Sequence, residues 1–209
     1  MKDESTYHRD KRKLFEIANA QDGFFTVKQA IEEAHYHKAN FRYHVHAGNW
    51  VKEGRGLYRL ADYPISREID LIRIWFWTRD RKTDRPKGFF SHETALALWD
   101  ISDLNPAKTH ITVPEGFRRN SKTPNGVVLH LEKRPLLKDK FGILEIATPL
   151  QAIGQVVESE TQPEEVIESA LNDGLRRGII IRSNFENTPM TNKAKSVIRE
   201  IWRRYDQKI

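Results

Sequence analysis

The chain has 209 residues, of which 38% are hydrophobic and 10% aromatic, and it carries a formal net charge of +6 with a sequence pI near 9.5. This length suits two small domains, and the apolar content excludes a wholly disordered chain. The chain contains no cysteine, which excludes disulfides, thiolate metal sites and cysteine nucleophiles, while its positive charge favours a polyanionic partner.

The N-terminal stretch MKDESTYHRDKRKLF is charged and has no apolar run of the kind found in signal peptides. The longest apolar run of the chain, IDLIRIWFW, is interrupted by Asp70 and Arg73 and is too short to span a bilayer. We therefore expect a soluble, cytoplasmic protein without a membrane partner.

Hydrophobic spacing in the first part of the chain predicts three helices followed by two short strands. The helices are expected at residues 9–20, from an opening at 24–27 to about 34, and 38–47, and the strands at 50–53 and 56–60, joined by a turn at Gly54-Arg55. Thr26 and Gln29 have the spacing of a capping box at the start of the second helix. This order is typical of a winged helix-turn-helix, which we assign to residues 1–64.

Residues 65–209 are predicted to form a second domain of mixed α/β type, so the expected fold class is α+β. Helices are expected at 67–78 and after Ser91, with strands at 110–113, 127–132 and 142–147. Capping boxes at Thr148 and Thr161 each predict a further helix. A short strand at 178–183 and a terminal amphipathic helix are expected to follow.

The third helix is the expected DNA-recognition helix. Phe41 and Val45 lie one turn apart and are predicted to face the other two helices. Asparagine can pair with adenine and arginine with guanine in the major groove, and cations on the wing can meet phosphate or the minor groove. The predicted DNA-binding residues are Lys38, Asn40, Arg42, Tyr43, His46, Lys52, Arg55 and Arg59.

Other charged or metal-ligating residues are assigned more ordinary roles. His44 and His46 are two positions apart and cannot share a helical face, so we expect solvated histidines rather than a metal site. The basic loop at residues 118–122 and the terminal arginines (Arg199, Arg203 and Arg204) either extend the nucleic-acid surface or form solvated faces, and the second reading is the commoner one.

The run FFTVKQAIEEAHYHKANFRYHVHAGNWVKEGRGLYRLADYP resembles the N-terminal domain of AbiEi-type antitoxins. The pattern of that family's wing is matched here by Gly48, Gly56, Tyr58 and Leu60, followed by Pro64. The segments GFFSHETALALWDISDLNPAKTHITVPEG and GILEIATPLQAIGQVV resemble second-domain elements of the same family. The resemblance spans roughly residues 10–180, and the paired second-domain segments make it specific.

The resemblance implies an antitoxin of a type IV toxin–antitoxin, or phage abortive-infection, system. Such a protein counters a nucleotidyltransferase-like toxin without forming a stable complex with it, and represses its own operon by binding inverted repeats in double-stranded DNA. The winged helix would bind the DNA, and the second domain would provide the antitoxin activity. Family members often carry Arg- or Ser-rich recognition helices, whereas this chain has Tyr43, His44 and His46 at these positions.

We expect no catalytic site, metal site or cofactor. Ser91, His92 and Glu93 supply the residue types of a hydrolytic triad, but successive helical residues point about 100° apart and cannot converge on one centre. Ser91 is expected to act as an N-cap and Glu93 as a first-turn acid. Two alternatives stay open, a transcriptional regulator whose second domain senses a ligand or partner, and a winged-helix-fused nuclease. A nuclease needs clustered carboxylates, and Glu145 is the only acid on its strand.

Overall fold

The computed structural model describes residues 4–207, with side chains from residue 10 onward. The chain divides into two compact units, Met1–Pro86 (unit 1) and Lys87–Ile209 (unit 2). Each unit contains helices and one sheet, so the predicted α+β class is confirmed. In the part of the chain described, no helix is both long enough and apolar enough to cross a membrane.

Unit 1 has the element order of a winged helix. Its elements are α1 (Glu4–Asn19), β1 (Phe24–Thr26), α2 (Val27–Glu32), a 3₁₀ turn (Lys38–Asn40), α3 (Phe41–His46), β2 (Trp50–Gly54), β3 (Leu57–Leu60) and α4 (Ile69–Trp77). The three strands form an antiparallel sheet of order β1-β3-β2. The capping box at the start of α2 is confirmed, because the Thr26 side chain accepts from the Gln29 amide and the Gln29 side chain accepts from the Thr26 amide.

The core of unit 1 is aromatic. Phe25 packs edge-on against Trp50, with ring centroids 5.0 Å apart, and stacks on Tyr58 at 5.9 Å. Leu14 of α1 and Phe41 of α3 are buried in the same cluster. The sheet and the three helices therefore enclose one hydrophobic core, which holds α3 in place.

Two details of unit 1 differ from the prediction. Phe24 to Thr26 form a short strand paired with β3, where we expected the opening of the second helix. Both phenylalanines are almost fully buried, and the strand ends at Thr26, the residue that caps α2. The capping box therefore predicts the helix correctly but does not indicate that a three-residue strand comes before it. The first residues of the predicted third helix form a 3₁₀ turn rather than an α-helix.

Unit 1 also continues past the predicted domain end at residue 64, to Pro86. The reason is α4, which buries Ile72 and Phe76 in this unit, with Phe76 stacked on Phe24 at 6.0 Å. Arg73 of α4 contacts Glu53 of the wing at 2.7 Å. The turn at Tyr63-Pro64 is thus a connection inside unit 1.

The described part of unit 2 contains five strands and four helices. Its elements are β4 (Phe89–Phe90), α5 (His92–Leu98), β5 (Thr109–Pro114), β6 (Val127–Glu132), β7 (Lys138–Phe141), β8 (Leu144–Ala147), α6 (Pro149–Ser159), α7 (Glu164–Arg176), a 3₁₀ turn (Arg182–Asn184) and α8 (Asn192–Asp206). The strands form a mixed sheet of order β6-β5-β4-β8-β7. β4 pairs antiparallel with β5 and parallel with β8, β5 pairs parallel with β6, and β7 pairs antiparallel with β8.

The core of unit 2 forms around α6, whose residues from Pro149 to Val157 are all buried. Ile153 and Val156 of α6 share this core with Ile198 and Trp202 of the terminal helix α8. A helix buried on all sides needs apolar neighbours on each face, and here α5, α7 and α8 supply them.

Three predictions for unit 2 are wrong. Gln151 does not close a capping box with Thr148, since its side chain accepts from the Leu137 amide at 3.3 Å and donates to the Pro189 carbonyl at 2.8 Å. Thr161 does not cap α7, which begins at Glu164 after Pro163. Residues 178–183 are not a strand, because the amides of Ile179 and Ile180 both bond to the Gly174 carbonyl at 2.9 Å and close the end of α7.

Candidate functional site

The candidate DNA-binding surface of unit 1 is built on α3, which is anchored by one aromatic side chain. Phe41 is buried and meets Trp50 and Tyr58 edge-on, at 5.1 and 5.5 Å between ring centroids. Val45, one turn later, is half-buried against the same core. The inward face of α3 is therefore the one predicted from its spacing, and the remaining face is free to meet a ligand.

The outward side of α3 and its preceding 3₁₀ turn carries the predicted recognition residues. All of them are exposed, and Tyr43 exposes 67% of its surface, which is unusual for an aromatic side chain. These exposed residues are Lys38, Asn40, Arg42, Tyr43 and His46. The surface therefore offers cations, an amide and an aromatic ring within nine consecutive positions.

His44 does not belong to this surface, contrary to the expectation of a solvated histidine. Its ring is buried and stacks on Trp50 at 4.3 Å with an angle of 19° between planes. Asn49 Nδ2 lies 3.4 Å from His44 Nδ1. Burial lowers the pKa of His44, so the ring is neutral at pH 7 and serves as a core aromatic.

The wing is the β-hairpin formed by β2 and β3, and hydrogen bonds from other parts of unit 1 hold the backbone at its tip. Arg79 Nη2 donates to the carbonyl of Arg55 at 2.5 Å, and the Val27 amide donates to the carbonyl of Gly56 at 3.1 Å. Arg79 itself is buried and pairs with Asp84 at 3.3 Å. The side chains of Lys52 and Arg55 are exposed, so a fixed backbone presents two wing cations to solvent.

Arg59 is a correction to the predicted set of DNA-binding residues. Only 6% of its surface is exposed. Its Nε donates to Glu53 at 2.9 Å, and its Nη1 donates to the carbonyls of Leu60 and Tyr63 at 3.0 and 3.2 Å. A guanidinium used in this way is a structural part of the wing and is not available to phosphate.

The terminal helix α8 does not present a free row of cations. Arg199 pairs with Glu186 at 2.7 Å and Arg203 with Glu200 at 3.3 Å. Arg204 contacts Glu164 and lies 3.9 Å from Glu168. Exposed ion pairs of this kind add little stability, but they neutralise the charge of the arginines. This favours the interpretation of α8 as a solvated face rather than part of a nucleic-acid surface.

Unit 2 contains a polar cluster that sequence reasoning missed. Three histidines from α5, β5 and β6 (His92, His110 and His130) place their ligating ring nitrogens within 4.8 Å of one another. The rings of His92 and His130 stack with centroids 3.7 Å apart, and His110 Nδ1 lies 3.0 Å from His130 Nε2. Glu93 joins the cluster, with its Oε2 at 3.3 Å from His110 Nδ1.

The register of β5 against β6 explains how the cluster assembles. His110 pairs with Val128 and Thr112 with His130, so both histidines fall on the same face of the sheet. The Ser91 amide donates to the His110 carbonyl at 3.1 Å, which places the start of α5 beside that face. The sequence signal was a histidine on each of two predicted strands, but pairing and register could not be derived from it.

Ser91 and His92 are closer than the prediction allowed. Ser91 occupies the predicted N-cap position, but its side chain makes no capping bond, and its Oγ contacts His92 Nδ1 at 2.9 Å. This contact forms because His92 has a φ of 52°, in the left-handed region, and does not follow helical geometry. Ser91 is fully buried and its Oγ accepts from Thr112 Oγ1 at 2.8 Å, so the hydroxyl belongs to a structural network.

Comparison with known proteins gives one family and one fold. Residues 12–61 match the family model described as "Transcriptional regulator, AbiEi antitoxin". The chain is similar in structure to the RV2827C protein from Mycobacterium tuberculosis, with a TM-score of 0.58 and 15% sequence identity, over 96% of this chain and 77% of that chain. At this identity the likeness shows the fold alone. No curated protein matches the sequence. The predicted resemblance is therefore confirmed where it covers the winged helix, since residues 12–61 match the model of the AbiEi antitoxin family of transcriptional regulators.

Proposed function

We propose that the protein is a DNA-binding autorepressor and the antitoxin of a type IV toxin–antitoxin system, acting in phage defence. Unit 1 would bind inverted repeats in its own promoter, and unit 2 would counter a nucleotidyltransferase-like toxin without forming a stable complex. The observation that carries the DNA-binding part is the exposed polar and cationic face of α3, set by the burial of Phe41 on the opposite side. The family match of residues 12–61 supports it.

In this proposal the two halves of the surface have different tasks. The 3₁₀ turn and the exposed face of α3 enter the major groove, where Asn40 can pair with adenine through a donor and an acceptor and Arg42 with guanine through two donors. Lys38, Lys52 and Arg55 contact phosphates on either side and set the register without reading sequence. Tyr43 and His46 complete the face of α3 that meets the bases.

DNA binding is tested with the promoter fragment of the protein's own operon, against a fragment in which the inverted repeats are scrambled. Arg42→Ala is expected to cost about 1–3 kcal/mol of binding free energy and to reduce discrimination between the two fragments. Lys52→Ala is expected to weaken both equally and to reduce the salt slope by about one. The matched control is Arg12→Ala on α1, where an exposed arginine pairs with Glu16 at 3.1 Å. Equal binding of both fragments by the unaltered chain would contradict sequence-specific repression.

The antitoxin part is tested separately, by co-expression of the full chain with a candidate nucleotidyltransferase-like toxin. The DNA-binding variant Arg42→Ala should still rescue growth, because the two activities are assigned to different units. Loss of rescue by this variant, with the protein level unchanged, would assign toxin control to operon repression alone.

A protein of this kind binds DNA and catalyses no reaction on it. Duplex DNA incubated with the protein and Mg²⁺ should therefore stay intact, and cleavage would favour the nuclease alternative. The other alternative is a transcriptional regulator whose second domain senses a ligand. The histidine cluster of unit 2 favours it, because the cluster offers such a domain a place to bind one. A regulator of that kind would repress its promoter without rescuing cells from the toxin.

A further inference from the structure

We propose that His92, His110, His130 and Glu93 of unit 2 form a binding site for one divalent transition-metal ion, with zinc the best match. The site lies between the start of α5 and the face of the sheet that β5 and β6 form. Because metal binding can be measured without DNA or toxin, the inference stands apart from the proposed function.

The spacing of the ligand atoms suits a tetrahedral ion. Zinc bonds of about 2.0–2.1 Å place neighbouring ligand atoms about 3.3–3.4 Å apart at tetrahedral angles. Glu93 Oε2 and His110 Nδ1 are 3.3 Å apart, and His110 Nδ1 and His130 Nε2 are 3.0 Å apart. The distances from His110 to two of the other ligands thus already nearly match the spacing that zinc requires.

The fourth ligand, His92, must turn to reach the ion. Its Nδ1 contacts Ser91 Oγ at 2.9 Å, which leaves Nε2 as the ligand atom in this arrangement. Since its ring stacks on His130 with centroids 3.7 Å apart, metal binding requires the ring to leave that stack. The ligating nitrogens of the three histidines already lie within 4.8 Å of one another, so the movement is short.

A buried negative charge supplies an independent reason for a cation at this place. Glu93 is only 3% exposed, and within the described residues its Oε2 accepts no hydrogen bond, although His110 Nδ1 lies 3.3 Å away. Its other oxygen, Oε1, accepts from Thr161 and Gln162. A buried carboxylate oxygen that accepts no hydrogen bond is costly, and a metal ion beside it removes that cost.

The histidines are in the protonation state that a metal needs. A histidine binds a metal through a ring nitrogen that carries no proton. The three rings lie together and away from solvent, an environment that favours the uncharged imidazole.

A second layer of hydrogen bonds holds the ligands, as is usual around metal sites. Ser91 Oγ contacts His92 and accepts from Thr112 Oγ1 at 2.8 Å, while Thr161 Oγ1 donates to Glu93. His92 is also kept in the left-handed region, which is unfavourable for a residue with a side chain. Such strain persists where the surroundings require one particular side-chain position.

The donor set selects the class of metal. Three imidazoles and one carboxylate suit zinc and its neighbours among the divalent transition metals, whereas calcium and magnesium prefer oxygen ligands. A site with four protein ligands and little exposure is a closed site. The ion in such a site either stabilises the fold or is bound and released as the metal concentration changes.

The test is zinc titration of the full chain by calorimetry, after removal of metals with a chelator. The expected result is one zinc per chain. Loss of an outer-layer partner alone lowers metal affinity by about 10–100-fold, so His130→Ala, which removes a ligand, is expected to weaken binding by at least that much. The matched control is His37→Ala, an exposed histidine in unit 1 outside the proposed DNA-binding set, which should leave zinc affinity unchanged.

A second measurement guards against misfolding of the alanine variant. Cobalt(II) added to the unaltered chain should give the intense visible absorption of a tetrahedral site with imidazole ligands. Glu93→Gln, which keeps the shape of the side chain, should alter that spectrum and weaken zinc binding while far-UV circular dichroism stays the same.

Three results would overturn the proposal. The first is failure of the unaltered chain to bind zinc. The second is binding that survives both His130→Ala and Glu93→Gln, which would place the ion elsewhere. The third is the weak spectrum of six-coordinate cobalt. Under any of them, the cluster is a hydrogen-bonded network of neutral histidines around Glu93 and carries no ion.

Discussion

The two units build their candidate sites in opposite ways. In unit 1 the candidate DNA-binding surface comes from one continuous stretch, residues 38–55, in which a 3₁₀ turn, a helix and the following hairpin carry every exposed residue of the set. In unit 2 the histidine cluster comes from α5, β5 and β6, three elements separated by long loops. Helical periodicity predicts a surface of the first kind, whereas a site of the second kind depends on which strands pair.

The comparison also extends to burial. The residues of the unit 1 surface are exposed, and their positions depend on a few anchors beneath them, such as Phe41 and the ion pair of Arg59 with Glu53. The residues of the unit 2 cluster are themselves largely buried and hold one another. A change to a surface residue of unit 1 should therefore alter function without stability, while a change in the unit 2 cluster should alter both.

The largest expected effect is a loss of stability in unit 1, and it distinguishes a buried arginine that anchors the wing from an exposed arginine on its surface. Removing one partner of a buried ion pair typically costs about 3–5 kcal/mol, and Arg59→Ala is expected near the lower end because Arg73 still contacts Glu53 at 2.7 Å. Arg55→Ala, at the exposed tip of the same wing, should change stability by no more than about 0.5 kcal/mol while weakening DNA binding. Urea unfolding and promoter binding of both variants measure the difference.

Equal stability of the two variants would show that the Arg59 pair does not anchor the wing. A loss of DNA affinity by Arg59→Ala while it is still fully folded would return Arg59 to the DNA-binding set.

These two arginines show how far the sequence could predict the surface. Both lie in the wing of a correctly predicted hairpin, and both have the charge that suits phosphate. Arg59 and Glu53 lie on opposite strands, and whether their side chains meet depends on the register, which shifts between Lys52 and Gly54. The helix wheel placed Phe41 correctly, but it could not show that the ring of His44 stacks on Trp50, a residue of the next strand.

In unit 2 the strands were largely predicted and the cluster was not. The strands containing His110 and His130 were assigned from their β-branched residues, and β4 and β7 were missed because one has two residues and the other is mostly charged. Without β4, the sequence gives no way to place the start of α5 beside β5. The parallel pairing of β5 with β6, which a hairpin interpretation of neighbouring strands would not suggest, completes the site.

A substitution of intermediate effect tests whether the unit 2 cluster holds itself together. Thr112 is 1% exposed and donates to Ser91 Oγ, so Thr112→Val should cost about 1–3 kcal/mol by leaving that buried hydroxyl without its donor. The control is Thr109→Val, a half-buried position on the same strand, where the loss should be smaller. Urea unfolding and zinc titration provide the two readouts. A Thr112→Val protein that matches the control in both would show that Ser91 is held by other contacts.

The smallest expected effect concerns pH and tests His44 as a core residue of unit 1. Because burial lowers the pKa of His44 below 6.5, the unfolded chain binds a proton at this residue more readily than the folded chain. The free energy of unfolding should therefore fall as pH drops below 6.5, and this part of the fall should disappear in His44→Phe, which keeps an aromatic ring against Trp50. Hydrogen exchange of peptides from residues 41–60 follows unit 1 specifically, and the difference between the two proteins at pH 8 gives the pH-independent cost of the substitution. If the two proteins lose protection in parallel on acidification, the ring of His44 takes up its proton as readily in the folded chain as in the unfolded one, and α3 keeps its position without a neutral aromatic stack beneath it.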